Sequence, residues 1–303
     1  MRKVQELVSR RAMLGGGAAF IAAMAAARVP LAVQEAAGQE ALAPSLTIDL
    51  TSEPATLDPA KTYDIDGWSV VHSIYDAPVQ LGPGGALQMV AAESLVQTDP
   101  LTWELKLKPG ITFHNGEPLE SSSVTFSIAH MKNPDTASQV AGNFSVIDSV
   151  EEVDELTARL HLSAPAPWLP SQLAPWIALL PPGYAADPAN DFALNPVGTG
   201  PYVFQGWERG ASIALERNGD YFGGGEKGTP IADAVTFRFV QDGTTRVADL
   251  ISGTSQIIGA VPFDQVPEVK PPPSCRRCPL LDVPSCAFRT MWSPSQTRGC
   301  GRH

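Results

Sequence analysis

The sequence predicts an α/β fold with a mixed sheet, and three observations predict it. Period-two alternation recurs along the chain: Trp103, Leu105 and Leu107 alternate with Glu104, Lys106 and Lys108, the pattern of a strand with one wet face. Helical spacing separates such runs, as where Val124, Phe126, Ile128 and Met131 follow the serines at 121 to 123, which can cap a helix. Turn signals such as Pro109-Gly110, Asn115-Gly116 and Arg209-Gly210 fall at strand-length intervals.

Length and charge bound the answer. A chain of 303 residues allows about two domains at roughly 150 residues each. Its 44% hydrophobic content supports a real core, and the formal net charge of −11 disfavours nucleic acid as a partner. The two ends differ, however. Of 21 Lys+Arg and 32 Asp+Glu, six and one lie from Lys270 onward, leaving 15 and 31 before it. All four cysteines (Cys275, Cys278, Cys286 and Cys300) lie in that same tail.

The N-terminus reads as an address. Arg2, Lys3, Arg10 and Arg11 precede an apolar run of small residues from Ala12 to Ala27, too short to span a bilayer. Ser9-Arg10-Arg11-Ala12-Met13-Leu14 resembles a twin-arginine signal, so residues 1–37 are expected to be an export signal. With no cysteine before Cys275, the expected product is periplasmic, soluble and without a lipoprotein anchor.

Ser45 to Leu50 is a short β-run, and Asp58-Pro59 stops and turns the chain after it. Trp68, Val71, Ile74 and Tyr75 have helical spacing. Leu101–Leu107 and Ile111–Phe113 read as a hairpin, and Asn115-Gly116 marks a second turn. Val146–Asp154 and Thr157–Leu162 are a further strand pair. Pro165–Leu180 is apolar but broken by prolines, so short turns are expected there rather than a long helix. Tyr202–Trp207 and Ser212–Arg217 form a hairpin; Ala234–Val240 is a strand and Thr244–Ile251 a helix.

Several of these elements carry a resemblance. Trp103, Leu105, Leu107, Gly110, Ile111, Phe113, Gly116, Pro118, Leu119, Val124, Phe126 and Ser127 fall in register with W-x-F-x-L-x-x-G-V-x-F-x-D-G-x-P-L-x-A-x-D-V-x-F-S. Asn195-Pro196-Val197-Gly198-Thr199-Gly200-Pro201-Tyr202 matches N-P-x-G-T-G-P-Y, and Pro54 to Pro59 matches P-x-x-L-D-P. The chain thus resembles extracytoplasmic solute-binding family 5 of ABC importers, the dipeptide-, oligopeptide- and nickel-binding type. Asn115 and Ser123 stand where the family pattern has Asp, and both can serve the same turn and cap.

The resemblance implies a periplasmic-binding-protein-like (class II) α/β fold, with residues 44–269 as a first lobe and a smaller sheet-and-helix subdomain inserted at about 85–195. It implies a binding protein rather than an enzyme, a monomer without cofactor. Its partners would be a small peptide or similar solute, nickel in chelated form, and the membrane permease subunits. It places ligand contacts after the first strand, at Glu53, Ala55, Thr56, Tyr63 and Trp68. Peptide backbones would be held there by main-chain pairing, and the aromatics would add tolerant contact area. Two bland readings stay open: Trp68 as the buried face of its helix, and Glu53 as a solvated loop carboxylate.

The motif resemblance ends at about Val269, where charge and cysteine usage change. Residues 270–303 are therefore expected to be a disordered frameshift product, with the second lobe largely missing. That leaves a fragment without ligand affinity as the rival reading. Cys275-x-x-Cys278 is a single knuckle, whereas structural zinc sites commonly pair two. Elsewhere the chemistry is thin. His114 reads as a solvated turn residue, the other histidines form no metal pair, and Gly198-Thr199-Gly200 matches neither phosphate-loop pattern. No G-x-S-x-G elbow is present.

Overall fold

A computed structural model describes residues 45–269, apart from Glu226. The expectations for residues 1–37 and 270–303 lie outside the described residues. In chain order the elements are β1 (Leu46–Leu50), α1 (Ile65–Ile74), β2 (Val79–Leu81), β3 (Leu87–Met89), β4 (Ala92–Asp99), β5 (Thr102–Leu107), α2 (Ser121–Lys132), β6 (Ile147–Glu152) and β7 (Thr157–Leu162). They continue with α3 (Leu169–Trp176), α4 (Pro182–Ala185), β8 (Tyr202–Glu208), β9 (Ser212–Arg217), β10 (Ala234–Phe239), α5 (Gly243–Ser252) and β11 (Ile257–Ile258).

Both ends of the described chain build one five-stranded sheet, ordered β11-β1-β10-β9-β8. β1 runs parallel to β10 and β11, while β10, β9 and β8 are antiparallel neighbours. Register puts like with like: Ile48 opposes Phe237, Phe237 opposes Ile213, and Val235 opposes Leu215. These residues are buried in one cluster with Val70, Val71 and Ile74 of α1. A one-residue slip would turn that apolar set to water, so pairing and helix docking fix the register together.

Between β1 and β8 the chain makes a second sheet, β4-β5-β7-β6, antiparallel throughout, and the β2–β3 hairpin. Leu105, Leu107, Ala158 and Leu160 line its buried face, and Val124, Ile128 and Met131 of α2 pack in the same cluster. Each such fully buried Leu contributes about 1.5–3 kcal/mol relative to exposure.

Four expectations need correction. Ile111–Phe113 does not pair with β5, whose two edges are taken by β4 and β7. It folds instead onto Glu117–Leu119 about the Asn115-Gly116 turn, with Thr112 bridged to Pro118 and Gly116 at φ 86°. The serines do not cap α2. Its N-cap is Glu120, without a side-chain bond, and the Ser121 hydroxyl, already inside the helix, donates to the Asp154 carbonyl (2.6 Å). Pro165–Leu180 holds no long helix, as expected, but in place of short turns alone it has the eight-residue α3, which starts on a tolerated early proline and stops just past Pro175.

The fourth correction concerns His114. Its backbone N–H donates to the Gly198 carbonyl (2.9 Å), and its ring bridges the Gly200 carbonyl (2.8 Å) and the Gly198 N–H (3.4 Å). Burial holds its pKa below the ordinary value, the neutral ring donating at one nitrogen and accepting at the other. The two strongest motifs are thus one structural joint. The glycines of the second motif serve close approach: a Cβ on Gly198 or Gly200 would lie 2.1 or 2.5 Å from the Ile74 carbonyl oxygen.

Candidate ligand-binding face

In open α/β sheets, ligands gather at the carboxyl ends of parallel strands. Here those are the ends of β1, β10 and β11, and the segment leaving β1 leads directly to α1. One Asp66 oxygen accepts from the backbone N–H groups of Thr51 (2.9 Å) and Ser52 (2.8 Å) and from both hydroxyls. That contact fixes the end of β1 to the first turn of α1. Asp64 caps the helix, accepting from Gly67 N–H at 2.6 Å. On the far side, buried Arg246 donates to the carbonyls of Val240, Gln241, Gly259 and Ala260, pinning the loops that follow β10 and β11.

The five residues expected to contact ligand do not form one group. Glu53 turns away to the β8–β9 hairpin, accepting from Trp207 Nε1 (2.9 Å) and Gly210 N–H (3.1 Å), with Arg209 at 3.6 Å. Arg209 in turn stacks 3.5 Å over the Trp207 ring. Ala55 is exposed. The Thr56 hydroxyl accepts from Asp58 N–H (3.1 Å), and its carbonyl accepts from Thr62. Both residues shape the loop.

Tyr63 and Trp68 do come together, through a residue not anticipated. The Trp176 ring centroid lies 4.8 Å from Trp68 and 6.3 Å from Tyr63, and all three rings are half-buried. The Tyr63 hydroxyl is committed within the protein, donating to the Ala60 carbonyl (2.7 Å) and accepting from Gln139 N–H (2.6 Å). It therefore presents ring surface rather than a spare polar group. Ile65, three residues before Trp68 on α1, is 70% exposed and extends the apolar face. Trp176 sits at the end of a proline-broken helix, a local pattern that names no partner. Its two tryptophans, Trp168 and Trp176, were the available signal.

Behind Trp68 a cavity of about 60 Å³, room for a few waters, is lined by His72, Tyr75, Gln80, Trp176 and Lys227. Lys227 donates to the carbonyls of His72 (2.7 Å) and Tyr75 (2.8 Å) and to buried Asp76 (2.6 Å), closing the C-terminal end of α1. The His72 ring is half-buried, 5.2 Å from the Trp68 ring. Burial first, and the Lys227 charge second, bring its pKa to about 4. Below the segment, His130 reaches both oxygens of buried Asp58 at 3.1 Å, tying α2 to the loop. Among the described residues, no group of three or more His, Cys, Asp or Glu side chains is placed to hold a metal ion.

Comparison with known proteins agrees with this architecture. Residues 86–276 match the model of the bacterial extracellular solute-binding proteins, family 5, middle region. The chain belongs to this family. The match reaches a few residues past Val269, where the motif resemblance stops.

Among curated family 5 relatives, the glutathione-binding protein GsiB of Pectobacterium atrosepticum is 31% identical over 212 residues. That alignment takes in 69% of this chain and 41% of the relative, so the chain spans less than half the relative's length. Among solved structures, AgaA of A. tumefaciens R10, in complex with agropinic acid, aligns with a TM-score of 0.70 and 31% identity, over 76% of this chain and 46% of that one. NikZ of Campylobacter jejuni, in complex with Ni(L-His), aligns with a TM-score of 0.62 and 26% identity, over 70% and 42%. The fold is the mixed α/β fold of periplasmic binding proteins, and these relatives are binding proteins rather than enzymes. No helix among the described residues is long and apolar enough to cross a membrane.

Proposed function

We propose that this chain captures a small peptide or related solute, nickel chelates included, for delivery to the permease of an ABC importer. The observation that carries the reading is the half-buried aromatic face of Tyr63, Trp68 and Trp176, at the helix that leaves the carboxyl edge of the parallel strands. Aromatic rings supply contact area without demanding a side-chain sequence, as a peptide carrier requires, and the Tyr63 hydroxyl is already engaged. The relatives' named ligands, glutathione, agropinic acid and Ni(L-His), define the range of solutes to test.

The same reading takes residues 44–269 as a first lobe, with about 85–195 inserted, and residues 1–37 as a twin-arginine export signal. The working form is a soluble periplasmic monomer without a lipid anchor. Within the ligand segment, Tyr63 and Trp68 touch the solute, Ala55 and Thr56 offer backbone, and Glu53 holds the segment in place. Calorimetric titration of the purified full chain with dipeptides, oligopeptides, glutathione and Ni(L-His) tests it. Saturable heat at or below about millimolar ligand is expected. Absence of heat with every one of them rejects capture.

A further inference from the structure

We infer that the Tyr63–Trp68–Trp176 face selects a cationic group of its ligand, an alkylammonium or guanidinium such as a basic peptide side chain, over an anionic one. The inference rests on the capture reading above and adds the charge class. Two independent features of the same face carry it.

The first is the rings. The Trp176 ring lies 4.8 Å from Trp68 and 6.3 Å from Tyr63, and each ring face carries negative electrostatic potential that attracts cations. The hydroxyl of Tyr63 is saturated by Ala60 and Gln139, so it offers no free donor to a carboxylate.

The second is charge. Residues 51–68 hold four carboxylates (Glu53, Asp58, Asp64 and Asp66) against one lysine, Lys61. Glu53 is matched by Arg209, and Asp58 by His130 and Lys61. Asp64 and Asp66 carry no ion pair among the described residues; Asp64, the N-cap, stands one turn before Trp68, while Asp66 turns to the end of β1. An exposed helix N-terminus ordinarily favours an anion. Here the capping Asp64 carboxylate, accepting from Gly67 N–H, already occupies that role, which turns the local field against a ligand carboxylate. Lys227, which lines the cavity behind Trp68, is itself paired with Asp76.

The test is a titration of the full chain at low salt, read by tryptophan fluorescence and calorimetry. The probes are three tripeptides differing only in a central arginine, glutamine or glutamate, with glutathione as a fourth. The arginine peptide is expected to bind about tenfold tighter than the glutamate peptide, with the glutamine peptide between. The gap should narrow as salt rises. Asp64→Asn keeps an N-cap side chain while removing the charge, so it should shrink the arginine–glutamate gap and leave glutamine affinity and Tm nearly unchanged. Equal affinities, or tighter binding of the glutamate peptide or glutathione, would overturn the cation preference and leave capture standing. Failure of all four probes and of Ni(L-His) to bind would overturn capture itself.

Discussion

The two ends of α1 are built from similar residue types and end up in opposite states. At the C-terminal end the backbone carbonyls are held: Lys227 takes those of His72 and Tyr75 together with Asp76, while Gly200 N–H takes the Ile74 carbonyl at 2.8 Å. At the N-terminal end Ile65 stands 70% exposed, and Trp68 shares a half-buried face with Trp176 and Tyr63. A charge in a cleft does not by itself mark a site. Lys227 and Glu53 are both committed to holding the chain, whereas the aromatic rings still have surface to offer.

That contrast can be broken from the closed end first. Lys227→Met leaves Asp76 buried without its cation, and loss of about 3–5 kcal/mol is expected by denaturant unfolding. Retained stability would mean that the C-terminal end is not held as described. Gly198→Ala forces a methyl group to 2.1 Å from the Ile74 oxygen, and roughly 1–3 kcal/mol should be lost through displaced backbone.

His72 probes the same end through pH. Its folded-state pKa of about 4 lies below the ordinary 6.5, so the unfolded chain takes up a proton the folded chain refuses. Stability should therefore fall as pH drops from about 6.5 towards 4, by on the order of 2 kcal/mol. His72→Gln should flatten Tm across that window relative to the parent; an unchanged slope assigns the dependence elsewhere.

The open end should respond differently. Trp68→Ala is expected to weaken ligand binding about tenfold, with a Tm change smaller than that of Gly198→Ala. Glu53→Gln should do the least: the shape stays, one partly exposed ion pair and one of the two accepted hydrogen bonds go, and stability falls by about 1 kcal/mol with affinity unchanged. A large affinity loss there would return Glu53 to direct ligand contact.

Legibility in the sequence followed locality. The pairs β6–β7 and β8–β9 were readable because alternation and turn residues act within a dozen positions. β4 escaped: Ala91-Ala92-Glu93-Ser94-Leu95 shows weak alternation, and its pairing with β5 has a register shift between Ala92 and Ser94. His114 was misjudged because its partners, Gly198 and Gly200, lie more than eighty residues away. Trp176 was missed for the same reason: nothing near it in the chain says that Tyr63 and Trp68 will meet it. Glu53 was placed among the ligand contacts because the resemblance points to the segment after the first strand, and its hold on Trp207 and Gly210 exists only once the hairpin has docked.

The most direct test compares Trp68→Ala and Glu53→Gln with the parent full chain, by calorimetric titration with the best-binding peptide. The account predicts about tenfold weaker binding for Trp68→Ala and parental affinity for Glu53→Gln. The reverse order, or equal loss in both, would contradict it.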